Sequence, residues 1–262
     1  MTTVAAAPAP TLRTPSFRLD GRAALVTGAG RGIGLAAACA LAQAGAEVFL
    51  VARTATEVEA ARDGIRADGG KAQAAALDIT DSTAVAKFVA QHGPFHILVN
   101  NAGTNRPSLI TDMTDADYDA VMNLNVKATM VVTREVARGM IGAGRGGSII
   151  TVSSQMGQVG GPKRSLYCAT KHAVEGMTKS LAWELGQHAI RVNTVCPTYI
   201  ETAMTAPMFA DPAFRAFAET GTALGRVGQL EEVMGAMVFL ASDASTLVTG
   251  SALMVDGGWT AR

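Results

Sequence analysis

The stretch Ala23-Ala24-Leu25-Val26-Thr27-Gly28-Ala29-Gly30-Arg31-Gly32-Ile33-Gly34 decides how the chain folds. A short apolar run, Ala23–Val26, stops on a cluster of glycines, and an Ala- and Leu-rich run, Arg31–Ala44, follows it. The first reads as a strand covered on both faces, the second as a helix. Glycine in the connection lets backbone approach a ligand with no side chain between. The helix that opens there turns unpaired N–H groups and a partial positive charge toward an anion such as a pyrophosphate. A glycine-rich turn by itself is equally a tight connection; its place between a strand and a helix is what points to a dinucleotide.

Outward from this turn the same alternation continues. Glu47–Val51 reads as a strand, Glu57–Ala67 as a helix, Ala72–Leu77 as extended and Ser82–Gln91 as a helix. Ile97–Val99 is a strand closing on Asn100-Asn101-Ala102-Gly103, followed by one long helical region from Asp115 to Met140. Ser148–Val152 is a strand, Tyr167–Gly186 a helix, Ile190–Val195 a strand, Glu231–Ala241 a helix and Ala252–Val255 a last strand. Strands alternating with helices imply parallel pairing through right-handed crossovers. The expected fold class is α/β: one doubly wound parallel sheet of the Rossmann type, about seven strands with helices on both faces. Residues 17–262 form a single domain, and residues 1–16, rich in Ala, Pro and Thr, form a flexible arm without the charged start and apolar block of a secretory signal. Ligands on such a sheet bind beyond the carboxyl ends of the strands.

Composition narrows the function classes. Lys plus Arg (22) balances Asp plus Glu (22), so nothing in the charge favours nucleic acid or an anionic membrane. Apolar runs are too short to span a bilayer. Cys39, Cys168 and Cys196 fit no metal spacing and are odd in number, which suits reduced thiols in a cytoplasmic protein. His92, His96, His172 and His188 form no HExxH pair, so no catalytic metal is expected.

Three motifs now stand in order: the turn with Gly28, Gly32 and Gly34, the Asn100-Asn101-Ala102-Gly103 segment, and Tyr167-Cys168-Ala169-Thr170-Lys171. With them the chain resembles the classical short-chain dehydrogenase/reductase family from about Phe17 onward. The resemblance implies an NAD(P)-dependent oxidoreductase that moves a hydride between a nicotinamide and a secondary alcohol or ketone. Tyr167 and Lys171 are four apart on a helix and so share a face. An ammonium beside a phenol favours the phenolate, which suits proton exchange. Ser154, just after a strand, would hold the substrate oxygen, and the resemblance makes Asn125 a fourth member that holds a water in a relay ending at Lys171.

The resemblance also distributes the cofactor contacts. Gly28, Arg31, Gly32, Ile33 and Gly34 take the phosphates, and Asp78 with Ile79 takes the adenine. Asn100, Ala102 and Gly103 line the adenosine–ribose side, Tyr167 and Lys171 reach the nicotinamide ribose, and Pro197, Ile200 through its backbone and Thr202 meet the carboxamide. The second strand ends Leu50-Val51-Ala52-Arg53-Thr54, with no acid to accept from the ribose hydroxyls. Arg53 and Arg31 suit a 2′-phosphate, so NADP(H) is preferred and NAD(H) allowed. The family usually follows the proline at position 197 with glycine; here Thr198 stands there, which leaves the local backbone open.

The substrate end is less explicit. Arg106, Gln155, Met204 and Met208 are candidate contacts. Thr198 to Gly221 resembles a mobile lid, with Phe209 and Phe214 as further wall residues. Arg106, Lys163 and Arg164 form a cationic rim that would suit an anionic substrate, a sugar acid, keto acid or 3-oxoacyl carrier; as solvated loop charges they leave neutral sugars open. Assembly as a homotetramer is implied by the resemblance, through the two long helices and the Val255–Trp259 segment. The competing readings are an NAD-preferring polyol or sugar dehydrogenase and a non-catalytic NADP(H) sensor on the same fold.

Overall fold

The computed structural model describes residues 12–203 and 205–261; residues 12–16 of the expected arm are exposed and belong to no helix or strand. Seven parallel strands form one sheet in the order β3-β2-β1-β4-β5-β6-β7. They are β1 (Ala23–Thr27), β2 (Glu47–Ala52), β3 (Lys71–Ala76), β4 (Ile97–Asn100), β5 (Gly147–Val152), β6 (Ile190–Pro197) and β7 (Ala252–Val255). The helices are α1 (Gly32–Gln43), α2 (Ala55–Ala67), α3 (Ser82–His92), α4 (Asp115–Met122), α5 (Thr129–Ala143), α6 (Ser165–Gly186), α7 (Ala206–Phe209), α8 (Pro212–Thr220) and α9 (Glu231–Ala241).

Neighbouring residues of one strand serve opposite cores. Val26 packs with Leu41 of α1, Val58 of α2 and Leu240 of α9, whereas Leu25 packs with Val89 of α3, Val136 of α5 and Leu185 of α6. Burial on both faces is why the strands read as continuous apolar runs. The chain leaves β1 toward one edge and crosses back through α3 to β4 beside it. The strand order therefore reverses between β1 and β4, and the crevice opens there.

Two segments differ from the sequence-based expectation. The helical region expected from Asp115 to Met140 is two α-helices separated by a wider π turn, Asn123–Ala128. Within it the Asn125 carbonyl accepts a 2.9 Å bond from Thr129 Oγ1, and the Asn125 side chain is held elsewhere. Such turns break the regular ladder and place a side chain that an unbroken helix would turn aside. The expected lid also contains regular structure. Pro207 and Pro212 sit at helix starts, where a missing N–H costs nothing, and Asp211 caps α8 by accepting from Ala213 N at 2.9 Å.

Candidate active site

A cleft of about 540 Å³ lies across the carboxyl ends of the strands and runs from the glycine turn to Tyr167, Tyr199 and Met208. Its size is that of a small-molecule site.

At one end the turn is fixed by backbone. Gly28 and Gly32 have φ of 63° and 58°, in the region that favours glycine. A Cβ on Gly28 would lie 2.9 Å from Ala102 Cα, and one on Gly34 would run into Gly28 O and Asn101 Nδ2. Thr27 Oγ1 accepts from Asn101 N at 3.0 Å and Ala102 N at 3.2 Å. In return, Asn101 Nδ2 donates to the Thr27 and Gly28 carbonyls, both at 3.0 Å. Beside this rigid knot, a Cβ on Gly32 would find only Thr202 Cγ2, at 3.9 Å. Arg31, the N-cap residue of α1, makes no side-chain cap hydrogen bond. Open space before uncapped donors fits a pyrophosphate.

Around the second strand, Arg53, Asp78 and Ile79 line the cleft. Arg53 is exposed and forms no ion pair among the described residues. Asp78 Oδ1 accepts from Thr80 N at 2.9 Å and Thr80 Oγ1 at 2.8 Å. These bonds, with a smaller contribution from the Arg53 charge, hold its carboxyl below the usual range. The cap of α3 is Asp81, not Asp78. One expectation is corrected here: a carboxylate does stand beside one of the two arginines, Arg31. Glu57, in the first turn of α2, lines the cleft and meets Arg31 at 3.4 Å.

Ser154, Tyr167 and Lys171, the residues expected to handle the proton, share one wall of the cleft. Tyr167 and Lys171 project from α6, and Lys171 Nζ stands 5.4 Å from the Tyr167 ring centre while donating to Val152 O at 2.8 Å. Ser154, buried at the end of β5, donates to Gln155 Oε1 and accepts from Met156 N, both at 3.1 Å. The neighbouring Ser153 turns its hydroxyl under Gly157, where an added Cβ would lie 2.9 Å from Ser153 Oγ. Asn125 clamps the segment after β4: Oδ1 accepts from Thr104 N at 2.8 Å, and Nδ2 donates to Thr104 O at 2.9 Å and to Thr170 Oγ1 at 3.2 Å.

Gly28, Arg31, Gly32, Ile33, Ala102, Gly103, Pro197, Thr202, Gln155 and Met208 also lie on the cleft. Four expected contacts do not. Asn100 turns its side chain to Thr133 Oγ1 of α5, at 2.8 Å. Gly34 is buried against the turn. Ile200 packs into Ala36 and Val233, and its carbonyl is taken by Thr205 Oγ1 at 2.6 Å. Arg106 pairs with Asp117 outside the cleft. Met204 falls outside the described residues. Among these residues only Lys163 and Ala189 combine a side chain with a positive φ, so Thr198 needs no glycine-like backbone.

Beyond the catalytic wall, Tyr199 is the hub of an aromatic cluster. It meets Phe214 edge-on at 5.4 Å and Trp259 at 5.3 Å, and Phe209 packs beside them. Burial pushes the Tyr199 phenol up. Sequence reading missed Thr27, Asn101, Glu57 and Tyr199. A threonine closing β1 and the second asparagine of its motif were legible signals; Glu57 and Tyr199 carried none, because their partners are remote in sequence.

Comparison with known proteins agrees with this geometry. A family model described as enoyl-(acyl carrier protein) reductase matches residues 28–260. Gluconate 5-dehydrogenase of Gluconobacter oxydans (strain 621H) is 44% identical over 93% of this chain and 96% of its own length. D-erythrulose reductase of Gallus gallus is 40% identical over 94% and 98%. A crystal structure from Agrobacterium tumefaciens, provisionally named a 2-deoxy-D-gluconate 3-dehydrogenase and holding NADP, superposes with a TM-score of 0.91 at 42% identity, over 95% of this chain and 100% of that one. With the glycine turn, the serine and the tyrosine–lysine pair on one cleft, the chain belongs to the classical short-chain dehydrogenase/reductase family, oxidoreductases that act on alcohol and keto groups.

Proposed function

We propose that the protein is an NADP(H)-dependent dehydrogenase or ketoreductase of polyhydroxylated substrates, sugars or sugar acids. The observation that carries the reading is the convergence of Ser154, Tyr167 and Lys171 on the cleft that also contains the glycine turn. The nicotinamide, when bound, supplies or accepts the hydride. Ser154 turns its one hydroxyl proton from Gln155 to the substrate oxygen, and Tyr167 gives that oxygen its proton in reduction or takes it in oxidation. Lys171, anchored on Val152 O, sets a positive charge beside the phenol as its proton leaves. Asn125 holds the Thr104 segment against α6, and with it the cleft wall.

Arg31 and Arg53 would hold the 2′-phosphate of NADP(H), consistent with the NADP-bound relative. Glu57 beside Arg31 favours a second reading, in which NAD(H) is also used. A sensing role without catalysis has no support, since the tyrosine, lysine and serine all stand in the cleft.

Assembly is proposed as a homotetramer in the cytoplasm. Its support is an apolar groove across α4, α5 and α6, with Met130 and Ile141 exposed beside Met177 and Leu181. No helix among the described residues is long and apolar enough to cross a membrane. Light scattering should give four chains; a monomer would reject the assembly. For the activity, ketones and alcohols are assayed with NADPH, NADH and their oxidised forms by nicotinamide absorbance. Turnover of a keto-sugar or keto-acid with NADPH is expected, and no turnover of any ketone or alcohol would overturn the reading.

A further inference from the structure

Of the arginines Arg106, Arg164 and Arg215, only Arg164 lines the cleft. Arg106 is paired with Asp117, and Arg215 with both Glu201 and Glu219. Arg164 has no ion pair among the described residues, yet its Nη1 is buried and makes no hydrogen bond to them. It lines the cleft beside Tyr167, Met156 and Tyr199.

The backbone places it there. Lys163 adopts a φ of 59°, and at this turn Lys163 is exposed while Arg164 is half-buried at the start of α6. The stem of Arg164 packs on Gly161, where an added Cβ would lie 3.5 Å from Arg164 Cγ. Arg164 is the N-cap residue of α6, three before Tyr167, and both line the cleft. Its charge also reaches Tyr199, where it opposes the upward push of burial on the phenol. A guanidinium nitrogen removed from water with no acceptor is costly, and a planar carboxylate is the acceptor its fork matches.

We propose that Arg164 is the anion anchor of the substrate pocket, binding the carboxylate of a sugar acid whose reacting carbon lies at Ser154 and Tyr167. This rests on the reading of the cleft as a ketoreductase site and names its substrate class. Of the expected cationic rim of Arg106, Lys163 and Arg164, it keeps Arg164, because Arg106 is neutralised by Asp117 and Lys163 is exposed and does not line the cleft.

The test compares a six-carbon keto-aldonate with the neutral ketose fructose, both reduced with NADPH, in the wild type, Arg164→Ala and Arg164→Lys. Gluconate binding is measured alongside by calorimetry. Arg164→Ala should lower the ratio of kcat/KM for keto-aldonate over ketose by roughly tenfold or more and weaken gluconate binding similarly. Arg164→Lys, which keeps the charge but not the fork, should fall between. NADPH affinity by fluorescence should stay within about twofold, showing that the variants are folded. Equal loss on both substrates, or gluconate binding unchanged by Arg164→Ala, overturns the anchor. So does a wild type that reduces fructose but neither reduces the keto-aldonate nor binds gluconate, an outcome that leaves the ketoreductase reading intact. If no ketone is reduced, that reading falls and gluconate binding alone decides the anchor.

Discussion

The two ends of the cleft are built by different means. At the cofactor end the constraints are backbone and small side chains: Gly28 lies against Ala102, Gly34 admits no Cβ, and four hydrogen bonds tie Thr27 and Gly28 to Asn101 and Ala102 across the turn. At the substrate end they are long side chains from segments far apart in sequence: Tyr199 on Phe214 and Trp259, Arg215 between Glu201 and Glu219, and Arg164 with a buried nitrogen unpaired. Close-packed backbone leaves little room to vary, so this end presents a fixed surface to a constant ligand. Side-chain contacts can be exchanged without disturbing the sheet, which is where specificity for a variable ligand can be set.

The largest expected effect lies where the two ends meet. Tyr167→Phe removes the transferable proton and should lower kcat by about 10²–10⁴-fold, with NADPH binding retained. Near wild-type turnover would show that Tyr167 is part of the wall and not of the chemistry.

Thr27→Val probes the rigid end directly. It keeps the shape but leaves the Asn101 and Ala102 N–H groups without their acceptor. A stability loss of about 2 kcal/mol is expected, with a melting temperature lower by roughly 5 °C. An unchanged melting curve would mean the turn is held by packing alone.

Cofactor choice comes next in size. Arg53→Ala should weaken NADPH by roughly tenfold and leave NADH nearly unaffected, as loss of a charged hydrogen-bond partner predicts. Glu57→Gln removes the carboxylate from Arg31 and should shift the preference further toward NADPH. Equal responses of both nucleotides to Arg53→Ala would remove the 2′-phosphate assignment.

The smallest effect belongs to the substrate-end scaffold. Arg226 and Gln229 N hold the Glu232 carboxyl down at about 2. A carboxylate whose folded value is depressed contributes stability above its unfolded value, near ~4.3, and loses it as pH falls through the folded one. Glu232 is exposed, so screening keeps the contribution slight. Glu232→Gln should therefore melt marginally lower than wild type at neutral pH, and the gap should close as pH falls from about 4.3 toward 2. A gap that persists in acid would assign the effect to packing.

What the sequence by itself determined is local or periodic. Apolar runs located all seven strands to within a residue or two. The Glu231–Ala241 helix and the Ala252–Val255 strand have the expected bounds, because pattern and propensity agree there with the tertiary fold. The glycine turn and the Tyr167–Lys171 spacing were readable for the same reason: each is a short segment whose geometry its own residues impose. Only the tertiary structure decided which candidates reach the cleft. Asn100 turns its amide to Thr133, and Arg106 pairs its charge with Asp117. It also brought Glu57 to Arg31, and it made Asn125 part of a π turn in place of an unbroken helix. The physical reason is that a side chain's direction is set by the partner that satisfies it. These partners come from other strands and helices, whose proximity exists only once the sheet has closed.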